Sequence, residues 1–274
     1  AMDSPEPGFR EELDVNYKAH REPPPEDLAP QIKRILEIVQ SQDIPILAVP
    51  GFEADDILAT IACRLADEDT ELFLVSKDKD LDQILSERVK LFDPAKSEII
   101  GPDELEKLKG YRPEKAVEVQ TLCGDTIDNI PGVKGVGPKK AAALIAKYGT
   151  AANVIAHADE LTPAMKTNIK AFADKVADTR RLVTLRQDVP LEFDLEQCRW
   201  TGLQGRRLQP VFAELGFRRL ADQFAEAAPD TPAVQAECDA PLLAGLAAPP
   251  EQAPAGGAPA QAQPKPVART TKCD

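Results

Sequence analysis

Apolar positions recur along this chain first at helical and strand spacings in alternation, then at helical spacing alone. Phe9, Leu13 and Tyr17 lie four apart, which predicts a helix across Phe9 to Arg21 that Pro23, Pro24 and Pro25 stop. Leu28, Ile32, Ile35, Leu36 and Val39 give Asp27 to Gln40 one apolar face, capped near Glu26 or Asp27. The unbroken apolar run Ile44 to Val49 reads as a short strand ending in a Pro-Gly turn, and Ile57, Leu58, Ile61 and Leu65 place a helix over Ala54 to Ala66. A four-residue strand follows at Leu72 to Val75, then a helix beginning near Leu81 and a strand at Val89 to Phe92.

Strands alternating with helices imply βαβ units, so the expected fold class is α/β, a mainly parallel sheet flanked by helices over residues 1–100. From Pro102 the strand signal fades. Helices are predicted at Pro102 to Leu108, Pro113 to Leu122 and through Ala151 to Leu185, with a last pair across Leu203 to Phe224. In that pair Phe212, Leu215, Phe217 and Leu220 are expected to pack inward, and Trp200 is read as a packing residue. Residues 101–227 thus form an all-helical region. After Ala227 the chain is rich in Ala, Pro, Gln and Gly without an aromatic, so 228–274 is expected to be a disordered tail or linker.

Composition narrows the class. Of 274 residues, 43% are apolar and 29% charged, as in a soluble globular protein. No run approaches the roughly 20 apolar residues that span a bilayer, and the first residues carry no signal-peptide core; the expectation is a cytoplasmic location without membrane contact. Cys63, Cys123, Cys198, Cys238 and Cys273 are odd in number and scattered, which points away from a disulfide framework or zinc site and towards reduced thiols, with Cys63 and Cys123 buried. A net charge of −13 argues against a nucleic-acid partner on average, but a metal site concentrates acids, so local basic patches count for more.

The acids do concentrate. Glu53, Asp55 and Asp56 sit within four positions at the start of a helix. One acid there is ordinary capping; three repel one another unless a cation neutralises them. Asp78 and Asp80 follow a strand end, and Asp125 and Asp128 follow a helix, so the set reads as the wall of a divalent-metal site, and carboxylates without His or Cys suit Mg²⁺ or Mn²⁺. Beyond it, Gly132, Gly135 and Gly137 lie between two helices beside Lys134, Lys139 and Lys140. A dinucleotide fingerprint fails there, because no strand precedes it and the third small residue, Ala141, comes one position late. The stretch reads instead as a helix-hairpin-helix, whose backbone N–H groups and lysines meet a phosphate.

Phe9-Arg10, Tyr17-Lys18-Ala19-His20-Arg21, Gly51-Phe52-Glu53-Ala54-Asp55-Asp56, Lys77-Asp78-Lys79-Asp80-Leu81, Gly124-Asp125-Thr126-Ile127-Asp128-Asn129 and the hairpin glycines occur in one order. Together they closely resemble the 5′ nuclease (5′-3′ exonuclease) domain of bacterial DNA polymerase I, in the flap endonuclease superfamily, over roughly residues 3 to 225. The resemblance implies a resolvase-like (PIN-like) core with a helical arch, then the helix-hairpin-helix region. It also implies a two-metal phosphodiesterase that removes nucleotides from 5′ ends and cuts 5′ flaps during replication and repair, including primer removal.

On that resemblance Glu53, Asp55, Asp56, Asp78, Asp80, Asp125 and Asp128 are ligands of two or more Mg²⁺ or Mn²⁺ ions, with Asp3 a further one. Lys18 and Arg21 grip the scissile phosphate from the arch, Tyr17 stacks on a base near the 5′ end, and Arg10 joins the basic, DNA-contacting group. Gly132, Gly135 and Gly137 line the loop that holds the duplex backbone, with K⁺ beside it and Lys134, Lys139 and Lys140 supplying charge. The partners implied are DNA with 5′ ends, flaps or nicks and an RNA primer in a hybrid, met by a monomer at the bacterial nucleoid. Family members carry a first strand ending in a ligand aspartate upstream of the position of Asp3, so the domain is expected to be N-terminally truncated. Two other readings compete: a DNA-binding fragment that retains the hairpin but is catalytically impaired, and a PIN-type RNA nuclease, against which the hairpin speaks.

Overall fold

A computed structural model describes residues 1–65 and 69–225. The expected tail, and with it Cys238 and Cys273, lies outside the described residues. The elements are α1 (Phe9–Leu13), α2 (Leu28–Ser41), α3 (Ala54–Arg64), β1 (Leu72–Val75), β2 (Val89–Asp93), β3 (Glu98–Ile100), α4 (Pro102–Lys109) and α5 (Pro113–Cys123). They continue with α6 (Pro138–Tyr148), α7 (Ala151–Ala156), α8 (Pro163–Phe172), α9 (Val176–Val183), α10 (Gly205–Glu214) and α11 (Arg218–Ala225).

The sheet has the order β1-β2-β3; β1 pairs parallel with β2, and β2 antiparallel with β3. It is therefore mixed rather than mainly parallel: β3, which periodicity does not reveal, turns back after four residues and is too short to show an apolar alternation. The run Ile44 to Val49 is extended but forms no ladder; the Met2 N–H donates to the Leu47 carbonyl at 2.8 Å. The helix expected across Phe9 to Arg21 stops at Leu13, where Asp14 takes an extended conformation and the chain goes on in turns.

Two apolar cores result. One joins α3 to the sheet through Ala59, Leu74, Leu81, Leu91 and Leu105; the other surrounds the hairpin with Leu122, Val136, Ile145, Ile169 and Phe172. Tyr111 packs against both. A smaller cluster of Tyr17, Ile130, Leu182 and Val183 ties the segment after α1 to the loop after α5 and to α9. Some packing expectations fail. Trp200 and Phe217 are each 53% exposed, Leu215 and Leu220 are exposed too, and Cys63 lies on the surface. Helix spacing in α10 and α11 marks an apolar face; the two helices pack on each other, and α2 packs on α10.

The strongest tie is buried. Arg10, 3% exposed, donates to both carboxylate oxygens of the fully buried Asp56, at 2.7 and 2.9 Å, and to the Leu182 carbonyl at 2.9 Å. Asp56 also accepts the Arg186 N–H at 2.8 Å. One bidentate pair thus joins α1, α3 and the end of α9. The structure thus places Asp56 inside, paired with Arg10 rather than grouped with the other acids, while Arg10 lines the floor of the acidic cleft with its charge already engaged by Asp56. Removing one partner leaves an uncompensated buried charge, so Asp56→Ala is expected to cost about 3–5 kcal/mol, and Arg10→Met a similar amount. Urea unfolding of the two single variants and the double variant checks this; the double should lose clearly less than the sum of the singles.

Candidate metal centre

Each acid is delivered by a chain reversal. Glu53 ends an extended segment at the N-cap of α3, putting Asp55 in the first turn, and the Asp3 side chain accepts the Ala54 N–H there at 2.8 Å. Asp78 follows β1 and caps the 3₁₀ turn Lys79–Ile84, accepting the Asp80 N–H at 3.0 Å. Asp125 and Asp128 occupy the loop after α5, where Asp125 and Ile130 exchange backbone bonds of 3.0 and 2.6 Å. That closure presses Gly124 on Gly132 so tightly that a Cβ on Gly132 would lie 2.3 Å from the Cys123 carbonyl oxygen. Gly132 therefore has an internal reason to be glycine, apart from its expected place in the hairpin loop. Gly135 and Gly137 have open space where a side chain would stand, and Lys134, Lys139 and Lys140 beside them are exposed.

The acids converge. Asp55, Asp78 and Asp80 present carboxylate oxygens within 4.8 Å of one another, and so do Asp80, Asp125 and Asp128. Asp80 belongs to both groups. A cleft of about 240 Å³ runs past them and is also lined by Asp3, Glu53, Lys18 and Arg21.

Several acids carry a side-chain cation. Lys18 Nζ meets Glu53 at 2.5 Å, Lys79 Nζ meets Asp125 at 2.5 Å and lies 3.9 Å from Asp80, and Arg21 pairs with Asp128. Among the described residues Asp55 and Asp78 form no ion pair. Desolvation first, and then the charges of Asp78, Asp80, Asp3 and Glu53, push Asp55 up from its ordinary 3.8 to about 7. Desolvation and Asp78 push Asp80 to about 6, against the opposing pull of Lys79 and Gln120. Asp125 is held below its usual range: desolvation acts against this, but the Lys79 bond and the Ile127 N–H prevail. The donor set is oxygen only, so the residues fit a hard divalent cation, which would supply the charge that Asp55 and Asp78 lack.

Tyr17 lines the cleft but is only 6% exposed, and its hydroxyl donates to Glu53 at 3.1 Å. Lys18, at φ 54°, holds a left-handed conformation fixed by its N–H bond to the Asp128 carbonyl at 2.9 Å. Two residues at the site lie outside the set that the sequence singles out. Lys79 is signalled by its place between two aspartates; Gln120, whose Nε2 donates to Asp80 at 2.5 Å, gives no signal, because it is one of several polar residues on α5.

A small sheet with acids at its strand ends, followed by a helical region that brings two more acids and an open glycine loop, defines a resolvase-like core joined to a SAM-like helical domain. The family model described as 5′-3′ exonuclease, N-terminal resolvase-like domain, matches residues 1–110, and that described as 5′-3′ exonuclease, C-terminal SAM fold, matches residues 111–206. The chain belongs to the 5′-3′ exonuclease family, a family of nucleases. It is 40% identical over 223 residues, 81% of its length, to the thermostable DNA polymerase I of Thermus thermophilus, of which it covers 26%. The chain spans about a quarter of the length of the curated relatives it matches. Among solved structures it resembles a bacteriophage T5 5′-exonuclease with bound zinc ions, TM-score 0.57 at 20% identity, covering 82% of this chain and 81% of that one. It also resembles the catalytic core of Rad2 in complex with DNA substrate, TM-score 0.55 at 20% identity, over 83% and 78% of the two chains. At that identity these two likenesses establish the fold.

The raised acids fix a sign for pH dependence. A carboxyl whose folded pKa lies above its unfolded one binds its proton more tightly when folded, so its contribution is present below the unfolded pKa and is lost as pH rises through the folded pKa. The metal-free protein should therefore lose stability between about pH 4 and pH 7 on account of Asp55, whose folded value is about 7. Asp55→Asn should flatten that decline, and so should added Mg²⁺. Melting temperatures against pH for both proteins check this; an Asp55→Asn curve parallel to that of the unsubstituted protein refutes it.

Proposed function

We propose that this chain is a metal-dependent 5′-3′ exonuclease and 5′-flap endonuclease module that hydrolyses DNA phosphodiesters. The observation that carries this is the pair of carboxylate groups sharing Asp80, set in a cleft that Lys18 and Arg21 also line. In this reading Asp55, Asp78, Asp80, Asp125 and Asp128 hold two Mg²⁺ or Mn²⁺ ions, with Glu53 and Asp3 at the margin. Held there, such ions would supply a water of lowered pKa as nucleophile and charge to neutralise the phosphate, so no side-chain nucleophile would be needed.

The chain's own side chains do the rest. Lys18 and Arg21, paired with Glu53 and Asp128 at the cleft, are within reach of a phosphate and add positive charge where negative charge develops. Tyr17 and Arg10 hold Glu53 in place, at 3.1 and 3.4 Å. Gly135 and Gly137 leave room for a nucleic-acid backbone, and Lys134, Lys139 and Lys140 give it counter-charge. DNA is the partner this chemistry favours, in line with the DNA-bound Rad2 core. The reading extends to an RNA primer in a hybrid, to K⁺ beside the hairpin, and to a monomer at the bacterial nucleoid, divided into a nuclease core over 1–100 and a helical region over 101–227.

Asp80→Asn should lower Mg²⁺-dependent cutting of a 5′-labelled flap by about 100-fold or more while binding of the same DNA persists. Lys139→Ala and Lys140→Ala should each reduce the slope of log affinity against log salt by about 1. Cleavage assays and fluorescence anisotropy read these out. An Asp80→Asn protein that keeps most of its rate removes the shared carboxylate from the mechanism, and the proposal with it.

A further inference from the structure

Asp80 is the one acid common to both carboxylate groups, so whatever fixes its side chain fixes the spacing between them. Its backbone is held twice: its N–H donates to Asp78 at 3.0 Å, and its carbonyl accepts from Gln83 at 3.0 Å. Its carboxylate receives one buried donor, the Gln120 side-chain amide, at 2.5 Å to Oδ1. Gln120 is 6% exposed and sits near the end of α5, five residues before Asp125. The same helix that delivers Asp125 therefore also steers Asp80. Helix α5 packs directly on the 3₁₀ turn that carries Asp80, so the contact between the helical region and the sheet core runs through this pair.

The chemical character of the donor matters. The Lys79 ammonium already lies 3.9 Å from the same Asp80 oxygen, and a lysine in place of Gln120 would add a second full positive charge against the shared carboxylate and compete with any cation that Asp80 holds. A carboxamide orients one oxygen without adding charge, and leaves Oδ2 to a cation. We infer that Gln120 is a positioning residue for the shared carboxylate, a neutral donor that sets Asp80 between the two acid groups so that both can be filled at once. This rests on the metal-site reading above.

The test reads metal binding without turnover. Mn²⁺ is titrated into the protein in the absence of DNA, with free Mn²⁺ followed by electron paramagnetic resonance and folding checked by circular dichroism. Gln120→Met keeps the bulk and removes the donor, and should weaken Mn²⁺ binding about tenfold, the usual scale for losing a group that orients a ligand. Gln120→Lys should weaken it further and lower the number of ions bound. Should Gln120→Met fail to fold, Gln120→Asn, which keeps the amide but is one methylene short of Asp80, carries the same comparison. Folded variants that bind Mn²⁺ as the unsubstituted protein does overturn the role of Gln120 alone. An unsubstituted protein that takes up no Mn²⁺, and that Asp80→Asn does not change, overturns the metal-site reading and this inference together.

Discussion

The site depends on a buried charge pair that underlies it, Arg10 with Asp56. Arg10 and Asp56 are buried and joined bidentately, and Arg10 reaches on to the Leu182 carbonyl and, at 3.4 Å, to Glu53. Burying two ions is costly, and a buried ion pair often stabilises no more than an apolar substitute would. What it provides here is placement. Asp56 lies one residue beyond Asp55, so anchoring Asp56 inward turns Asp55 towards the cleft; α3 has to present one face to the core and the other to the acids. The three-acid run is thus divided in function, one acid serving as an internal anchor and two facing the cleft.

The opposite problem arises in the cleft, where like charges must be kept close. Lys18, Lys79 and Arg21 pair with Glu53, Asp125 and Asp128, and among the described residues Asp3, Asp55 and Asp78 have no such partner, Asp55 being the one whose pKa is pushed to about 7. The protein therefore compensates part of its acidic charge and leaves the Asp55 side short. A divalent cation entering there relieves desolvation and repulsion together. At the other group Lys79 already lies against Asp125 and near Asp80 and supplies part of the positive charge there.

Much of this was legible in the sequence. The acids at strand and helix ends named the cleft, because periodicity located those ends and carboxylates crowded at them have few bland explanations. Asp56 and Arg10 escape that logic for the same reason: spacing along the chain shows that three acids share a turn, but not which way each one faces. Tyr17 escapes it likewise, since its burial comes from Ile130, Leu182 and Val183, all more than a hundred positions away. Gly132 and Gly135 look alike in the sequence, and only the close approach of Gly132 to Cys123 separates a glycine required internally from one that leaves open space. The exposed Trp200 and Phe217 show the limit of helical periodicity, which marks an apolar face and does not say what covers it.

The acids come from segments far apart in the chain, and their convergence is a property of the whole packing rather than of any one element. Asp125 and Asp128 enter from the helical region; Asp55, Asp78 and Asp80 enter from the sheet core. The segment after α1 is held to the Asp125 loop by the Lys18 N–H on the Asp128 carbonyl at 2.9 Å and by the Asn129 side chain on the Asn16 carbonyl at 2.7 Å. Tyr17, from that same segment, reaches Glu53. This short stretch therefore joins the packing of α5 on the 3₁₀ turn in linking the two halves, and it carries Lys18 and Arg21 into the cleft. Because the residues that meet the acids also join the halves, assembling the metal centre and docking the helical region on the core are one event, and weakening either is expected to weaken the other.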